Sequence, residues 1–317
     1  MTTPLVVAVV GPTATGKSDL GLALAEALGG EVVNADAMQL YRGMDVGTAK
    51  LTPAERRGIA HHQLDVLDVG QDATVAAYQR DARADVADVH ARRARVVVVG
   101  GSGLYVRALL DRLEMPPTDP QVRARLEERA RREGPGLLHD ALAAVDPAAA
   151  ARIDRANARR IVRALEVIEI TGQPYSATLP DHQEYELPAL QIGLDLARGV
   201  LDERIERRVG RMWAGGLVAE AAALAPRMGR TAARAVGYAQ VLAMLAGDVG
   251  EEEARTTTVL ATRRLARRQM TWFGRDPRVH WLPADAGDLV ERALALVAAA
   301  DAGRLPEPGG GRRTLGT

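Results

Sequence analysis

The eight residues from Gly11 to Ser18 constrain the fold of this chain most, because they match the phosphate-loop pattern G-x-x-x-x-G-K-[ST]. A Val-rich apolar run, residues 5–10, precedes the loop, and leucines at helical spacing follow it in residues 18–28. Glycines let the backbone approach an anion closely, and N–H groups at a helix N-terminus attract negative charge. The strand–loop–helix order therefore predicts a parallel α/β sheet and a site for a di- or triphosphate.

The loop offers side chains as well as backbone groups. Lys17 would add a positive charge, and the Ser18 hydroxyl would hold Mg²⁺. Thr13 and Thr15 either donate hydroxyls to the phosphates or only fill the loop. The predicted phosphate-binding residues are Gly11, Pro12, Thr13, Ala14, Thr15, Gly16, Lys17 and Ser18.

The usual nucleotide hydrolase also has a second apolar strand ending in an Asp that holds Mg²⁺. The best such strand here is the Val run 96–99, and it ends in the sequence G-G-S-G without an acid. The acid instead follows an earlier strand candidate, as Asp36. This departure argues against an ATPase and indicates a different use for the carboxylate.

Composition excludes several classes of protein. The 317 residues contain no Cys, which excludes disulfides, thiolate metal sites and Cys nucleophiles. Lys and Arg number 41 and so do Asp and Glu, so any nucleic-acid surface must be a local patch. The sequence has neither an apolar run long enough for a membrane helix nor the basic start of a signal peptide. We therefore expect a cytoplasmic protein that does not enter a membrane.

The pattern along the chain predicts two domains and a tail. Residues 1–114 and 186–304 alternate strand-like and helix-like segments, which is typical of an α/β core with C-terminal helices. A Pro-rich breaker at 115–120 opens a stretch with helical patterning, and we assign residues 115–185 to a helical insertion. Residues 305–317 are rich in Pro and Gly and are expected to be a disordered tail.

Four stretches, in this order, resemble one known family, the tRNA dimethylallyltransferases, also called tRNA isopentenyltransferases. They read G-P-T-A-T-G-K-S from 11, N-A-D-A-M-Q-L-Y from 34 with M-D-V-G-T-A-K from 44, V-G-G-S-G-L-Y from 99, and R-A-V-G-Y from 234. His61-His62, the segment around Asp119 and residues 261–269 add support. The resemblance implies a P-loop NTPase-like parallel sheet flanked by helices, with an all-helical insertion domain that binds tRNA.

The resemblance also implies a reaction. A dimethylallyl group would move from dimethylallyl diphosphate to the exocyclic amine of the adenine at tRNA position 37, in tRNAs that read codons beginning with U. Diphosphate would leave, with its charge stabilised by the N–H cradle, Lys17 and Mg²⁺. The partners implied are the tRNA anticodon stem-loop and dimethylallyl diphosphate, and the family resemblance suggests a monomer. Because no phosphoryl group is attacked in this reaction, no second acid after residue 99 is needed.

The catalytic residues carried over from the family are Asp36, Lys17, Ser102 and Arg208. Asp36 would orient the adenine amine and accept its proton, although an Asp here could instead only cap the next segment. The Ser102 hydroxyl would bond the diphosphate or the base, unless only the neighbouring glycines matter. Arg208, with Arg204 one turn earlier, matches a family helix with active-site arginines; ordinary surface pairing with neighbouring Glu residues is the alternative.

The tRNA-binding residues implied by the family form several groups. A stacked adenine cannot present its amine to a buried diphosphate, so we expect the base to be flipped out. Gln39 would read a base edge or lie solvated in its loop. A C-terminal segment, residues 255–278, carries seven Arg against one acid, with Trp272 and Phe273 beside them for stacking or for the core. The predicted tRNA contacts are Asp36, Ala37, Met38, Gln39, Ser102, Arg123, Arg159, Arg160, Ile161, Val162, Arg163, Arg234, Ala235, Val236, Gly237 and Tyr238.

Three alternatives share parts of this pattern. A P-loop nucleotide kinase or ATPase would turn over ATP. An RNA-binding protein switched by nucleotide would keep the arginines yet tolerate the loss of Asp36. A prenyltransferase acting on free adenine nucleotides would have less need of the helical insertion.

Overall fold

The computed structural model describes residues 4–113, 115–178 and 184–307. The chain divides into two compact units, residues 1–111 with 185–317, and residues 112–184. Most of the predicted tail, residues 308–317, lies outside the described residues. Before it, Leu305 packs, partly buried, against the larger unit's core.

The larger unit contains a six-stranded, entirely parallel sheet. The strands are β1 Val6–Val10, β2 Gly30–Asn34, β3 His61–His62, β4 Arg95–Val99, β5 Ala189–Asp195 and β6 Val279–Pro283. They lie side by side in the order β3-β2-β4-β1-β5-β6. This sheet confirms the parallel α/β fold that the phosphate loop predicted. Because every pairing is parallel, the carboxyl ends of the strands meet at one edge.

Helices flank the sheet. Those of the larger unit are α1 Lys17–Leu28, α2 Val75–Ala91, α3 Gly103–Leu110, α8 Arg198–Ala214, α9 Leu217–Leu224, α10 Tyr238–Leu245, α11 Glu251–Phe273 and α12 Leu289–Asp301. Alternate residues of β1 enter different cores: Val6, Ala8 and Val10 join one cluster, and Val7 and Val9 join another. Burial on both faces explains why this strand is a continuous apolar run.

The described residues of the smaller unit form the α-helices α4 Pro120–Glu133, α5 Pro135–Val145, α6 Pro147–Arg152 and α7 Ala158–Thr171. The first begins where Asp119 accepts the N–H groups of Gln121 and Val122, and the third where Asp146 accepts the N–H of Ala149. Leucines and isoleucines from the helices share one core. Nowhere in the described residues is a helix long and apolar enough to cross a bilayer.

Candidate active site

The ends of β2 and β4 are joined directly beside the phosphate loop. Ala35 donates its N–H to the carbonyl oxygen of Val99 at 2.8 Å, and Ser102 donates its N–H to the carbonyl oxygen of Ala35 at 3.2 Å. A Cβ on Gly100 would lie 2.2 Å from that same Ala35 oxygen, so only glycine allows this approach. The segment carrying Asp36 and the segment carrying Ser102 are therefore held together at one edge of the sheet.

The phosphate loop has the backbone geometry that its glycines predict. Gly11 and Gly16 adopt φ values of 128° and 93°, and a Cβ on Gly11 would meet the carbonyl oxygen of Leu194 at 2.8 Å. The buried Thr15 hydroxyl donates to the carbonyl oxygen of Pro12 at 2.9 Å. Of the two roles considered for Thr15, the structure therefore favours filling the loop.

Lys17 lies in an unusual electrostatic environment. Its Nζ donates to the carbonyl oxygen of Pro12 at 2.5 Å. Burial and the nearby charge of Arg208 lower the pKa of Lys17 to about 7, and the charge of Asp36 partly opposes them. Burial also lowers the pKa of Arg208, again opposed by Asp36. The two cations and the carboxylate therefore share one site.

Asp36 and Ser102 are oriented by backbone hydrogen bonds. The Oδ1 atom of Asp36 accepts the N–H of Met38 at 3.0 Å, so the capping role that the sequence left open is real. The Oγ atom of Ser102 accepts the N–H of Ala37 at 3.1 Å, which leaves its hydroxyl hydrogen available to donate. Gln39 is not a free loop amide, because its Nε2 donates to the carbonyl oxygen of Thr48 at 3.2 Å.

A strongly basic cleft of about 600 Å³ opens beside the phosphate loop. Four arginines of α8 line it at successive helical turns, Arg204, Arg207, Arg208 and Arg211. Arg208 donates to the carbonyl oxygen of Thr48 at 3.2 Å, and is not paired with a neighbouring Glu. Arg207 and Arg211 were not among the predicted site residues, although their i+3 and i+7 spacing from Arg204 places them on its helical face.

Lys50 also lines the cleft and was missed. The sequence contains only two lysines, Lys17 and Lys50, and both are found here. The buried Lys50 ammonium contacts Asp45 and Asp65 at 2.6 Å each and the carbonyl oxygen of Tyr41 at 2.8 Å. Through these contacts Lys50 holds residues 41, 45 and 65, which follow Asp36 in the sequence, close to one another.

Glu220 was missed as well, and it explains the position of Tyr238. The carboxylate accepts the N–H groups of three successive residues, 45–47, at 2.8–3.1 Å. It also accepts the Tyr238 hydroxyl at 2.5 Å, and burial together with this bond raises the pKa of Tyr238. The Tyr238 side chain is fully buried, and Ala235 and Gly237 are buried as well. The buried Tyr238 side chain is therefore not exposed to a ligand, and contact of residues 234–238 with tRNA stays a prediction, whereas Arg234 is exposed.

The predicted tRNA residues of the helical unit fall into three groups. Arg159 and Arg160 are exposed. Ile161 and Val162 pack in the core of the unit, so their side chains are not exposed, and contact of this segment with tRNA stays a prediction. They are buried because they occupy the apolar face of α7.

Arg123 and Arg163 form the third group, held by one buried acid. They contact the fully buried carboxylate of Glu166 at 2.6 Å and 2.8 Å, and the N–H of Asp119 donates to the same group. Burial raises the pKa of Glu166, but these donors more than offset it and the pKa is lowered. The ion pairs orient both guanidinium groups on the helical unit.

The arginine-rich helix α11 is only partly available to a ligand. Arg264, Arg267 and Arg268 are exposed, but Arg263 contacts Glu206 of α8 at 3.2 Å. Phe273 is buried in the core, so it does not offer a stacking surface. Trp272 packs over Gly103, where a Cβ would lie 2.0 Å from the indole ring, and is partly exposed. Gln269 was missed as a site residue and lies against the phosphate loop.

Known proteins are similar to this chain in sequence. The family model for IPP transferases matches residues 39–276. A tRNA dimethylallyltransferase of Thermobifida fusca is 62% identical over 300 residues, covering 92% of this chain and 94% of that protein. A similar relative in Streptomyces avermitilis, also a tRNA dimethylallyltransferase, is 62% identical, with 93% of this chain and 96% of that protein covered.

Solved structures of related transferases have a similar fold. A full-length tRNA isopentenylpyrophosphate transferase from Bacillus halodurans has a TM-score of 0.69 and 39% identity, covering 96% of this chain and 97% of its own. A eukaryotic dimethylallyltransferase acting on tRNA has the same fold, with a TM-score of 0.81 at 24% identity, covering 96% of this chain and 81% of its own. The resemblance seen in the sequence is confirmed, and a kinase or ATPase is not favoured. The chain belongs to the tRNA dimethylallyltransferase (IPP transferase) family of tRNA-modifying transferases.

Proposed function

We propose that this chain transfers the dimethylallyl group of dimethylallyl diphosphate to the exocyclic amine of the adenine at tRNA position 37, in tRNAs that read codons beginning with U. One observation carries the proposal: the carboxylate of Asp36 and the cations Lys17 and Arg208 share one electrostatic environment. The transfer needs both kinds of group. Diphosphate leaves one side of C1 of the dimethylallyl group and is stabilised by cations, whereas the adenine amine on the other side loses a proton to a base.

The adenine amine attacks C1 of the dimethylallyl group, and the bond from C1 to the diphosphate oxygen breaks. The electron pair of that bond leaves with the diphosphate, where the loop N–H groups, Lys17 and Arg208 stabilise the added charge. The amine proton passes to Asp36, whose Oδ1 is already fixed by the N–H of Met38. Ser102 would donate its hydroxyl hydrogen to the diphosphate or the base.

Mg²⁺ fits this site as a partner of the diphosphate. The Ser18 hydroxyl lines the cleft and makes no hydrogen bond to any other described residue. Within the described ranges, no group of three or more His, Asp or Glu side chains could hold a metal ion alone. Ser18 would therefore hold Mg²⁺ together with diphosphate oxygens and water, the oxygen ligands that this ion prefers. The ion would supply further charge neutralisation for the leaving group.

The anticodon stem-loop would bind through exposed arginines. Arg159 and Arg160 on the helical unit, and Arg234 on the larger unit, are exposed and available to phosphates. Arg264, Arg267 and Arg268 of α11 are three further exposed arginines of the larger unit. We propose a monomer that acts in the cytoplasm, where a tRNA substrate is found.

A single assay tests the proposed function. The protein, Mg²⁺, labelled dimethylallyl diphosphate and an unmodified tRNA reading a UNN codon are mixed, and the RNA nucleosides are analysed by mass. We expect a gain of one dimethylallyl group on adenosine 37, and none when that adenosine is replaced by guanosine. Label on free AMP, or hydrolysis of added ATP without transfer, would contradict the assignment of the substrate.

A further inference from the structure

Gln269 joins two loops that are far apart in the sequence. Its Oε1 accepts the N–H of Thr13 in the phosphate loop at 2.8 Å. Its Nε2 donates to the carbonyl oxygen of Gly101, after β4, at 3.1 Å. The side chain is 8% exposed. Both ends of one buried amide are thus used, each on a different loop of the site.

The absence of a side chain on Gly101 lets the Gln269 amide lie directly against this loop. A Cβ at this position would lie 2.2 Å from the Nε2 of Gln269. The next residue, Ser102, bonds to Ala37, which adjoins Asp36. A continuous path of hydrogen bonds and adjacent residues therefore runs from the phosphate loop through Gln269 to the segment that carries Asp36.

We propose that Gln269 is a positioning residue for dimethylallyl transfer. Its amide sets the distance between the loop that holds the diphosphate and the loops that carry Ser102 and Asp36. This inference rests on the proposed function, because only a reaction between two bound groups depends on that distance. Displacement of one reacting group by 1 Å can cost about 100-fold in rate, whereas binding of either substrate alone depends on its own loop.

The same geometry assigns a role to the Thr13 N–H. Because this N–H donates to Gln269, it is directed to the protein and not to the anion. The diphosphate cradle is then made by the N–H groups after Thr13, towards the start of α1.

A glutamine that served only to fill the core would be replaced equally well by an apolar side chain of similar size.

Two variants and one control on the same helix test the inference in the full-length protein. Gln269→Leu removes both hydrogen bonds at similar volume. Gln269→Glu keeps an acceptor for Thr13 but loses the donor to Gly101. Met270→Ala, at the neighbouring fully buried position, weakens packing and removes no hydrogen bond to either loop. The measurements are the single-turnover transfer rate constant at saturating substrates, the Kd values of pyrophosphate and tRNA, and Tm.

We expect both Gln269 variants to lose about 10- to 100-fold in the transfer rate constant, with both Kd values within about threefold of wild type. Met270→Ala should lower Tm and keep the wild-type rate constant below its unfolding temperature. A wild-type rate constant in either Gln269 variant overturns the inference, as does a loss matched by Met270→Ala. Failure of the wild-type protein to modify tRNA would instead overturn the proposed function.

Discussion

The Nζ atom of Lys17 donates a hydrogen bond of 2.5 Å to the carbonyl oxygen of Pro12, within the same loop. The amine is therefore turned back onto its own loop, where burial and the charge of Arg208 disfavour its protonated form. A diphosphate in the cleft would reverse this balance, because an anion favours the charged amine. Protonation of Lys17 and binding of diphosphate should be coupled.

That coupling can be observed directly, because the chain has only two lysines. Protein grown with [ε-¹³C]lysine should give two lysine signals by NMR, and Lys17→Arg identifies the one from Lys17. We expect the Lys17 signal to titrate near pH 7 in the free protein and well above this value with pyrophosphate bound. Titration of Lys17 above pH 10 in the free protein would contradict the burial argument.

Lys17→Met should stabilise the empty protein in a pH-dependent manner. Unfolded lysine keeps its proton up to about pH 10.5, whereas the folded protein releases it near pH 7. The unfolded state binds more protons between these values, so the destabilisation due to Lys17 is full below pH 7 and fades as the pH rises. We expect a larger increase in Tm at pH 6 than at pH 9.

The second lysine supplies the control for this experiment. Lys50→Met leaves the carboxylates of Asp45 and Asp65 without their shared cation, and it should lower Tm at both pH values. An equal rise in Tm for Lys17→Met at pH 6 and pH 9 would count against the lowered pKa of Lys17.

The Asp36→Asn variant distinguishes the proposed role of Asp36 as a base from its role in capping the turn at Met38. The Asn side-chain oxygen can still accept the N–H of Met38, so the turn should survive, but the amide cannot accept the amine proton. We expect the transfer rate to fall by about 10²- to 10⁴-fold, with tRNA affinity nearly unchanged. Asp81→Asn, an exposed acid on α2 paired with Arg80, is the matched control. Transfer within threefold of wild type would remove Asp36 from the chemistry.

Arg208→Gln tests the arginine face of α8. A charge-assisted hydrogen bond to the diphosphate contributes about 1.5–3 kcal/mol, so the Kd of pyrophosphate should rise roughly 10- to 100-fold. Arg198→Gln removes an exposed arginine at the start of the same helix, outside the cleft, and should leave this Kd unchanged. Equal effects of the two substitutions would mean that only overall charge matters.

Removal of the helical unit tests its predicted role in tRNA binding. Asp111 and Tyr185 form an antiparallel bridge at its two ends, so a short Gly-Ser linker can replace residues 112–184. We expect the KM for tRNA to rise roughly tenfold or more through lost phosphate contacts, and the KM for dimethylallyl diphosphate to change little. Thermal unfolding checks that the larger unit remains folded. Equal increases in both KM values would contradict the prediction.

For the arginines and aromatic residues, the sequence indicates the type of contact but not whether the side chain is exposed. Arg159, Arg160 and Arg234 are exposed as a ligand surface requires, but Arg263 is bound to Glu206. Phe273 looked equally suited to stacking and to the core, and it is buried. Residue type indicates which chemistry a side chain can perform, whereas its availability depends on what packs against it.

The phosphate loop, the parallel α/β class and the family could all be predicted from the sequence, because they depend on local backbone geometry and on motifs of adjacent residues. Glycines at 11 and 16 and the Val-rich strand act within a few positions of each other. The folded chain is needed to show that Gln269 reaches Thr13, that four arginines of α8 line the same cleft as Lys17, and that Glu220 binds residues 45–47. These contacts join positions more than 150 residues apart, and they arise from the strand order of the sheet and the packing of helices on it, which no local pattern encodes.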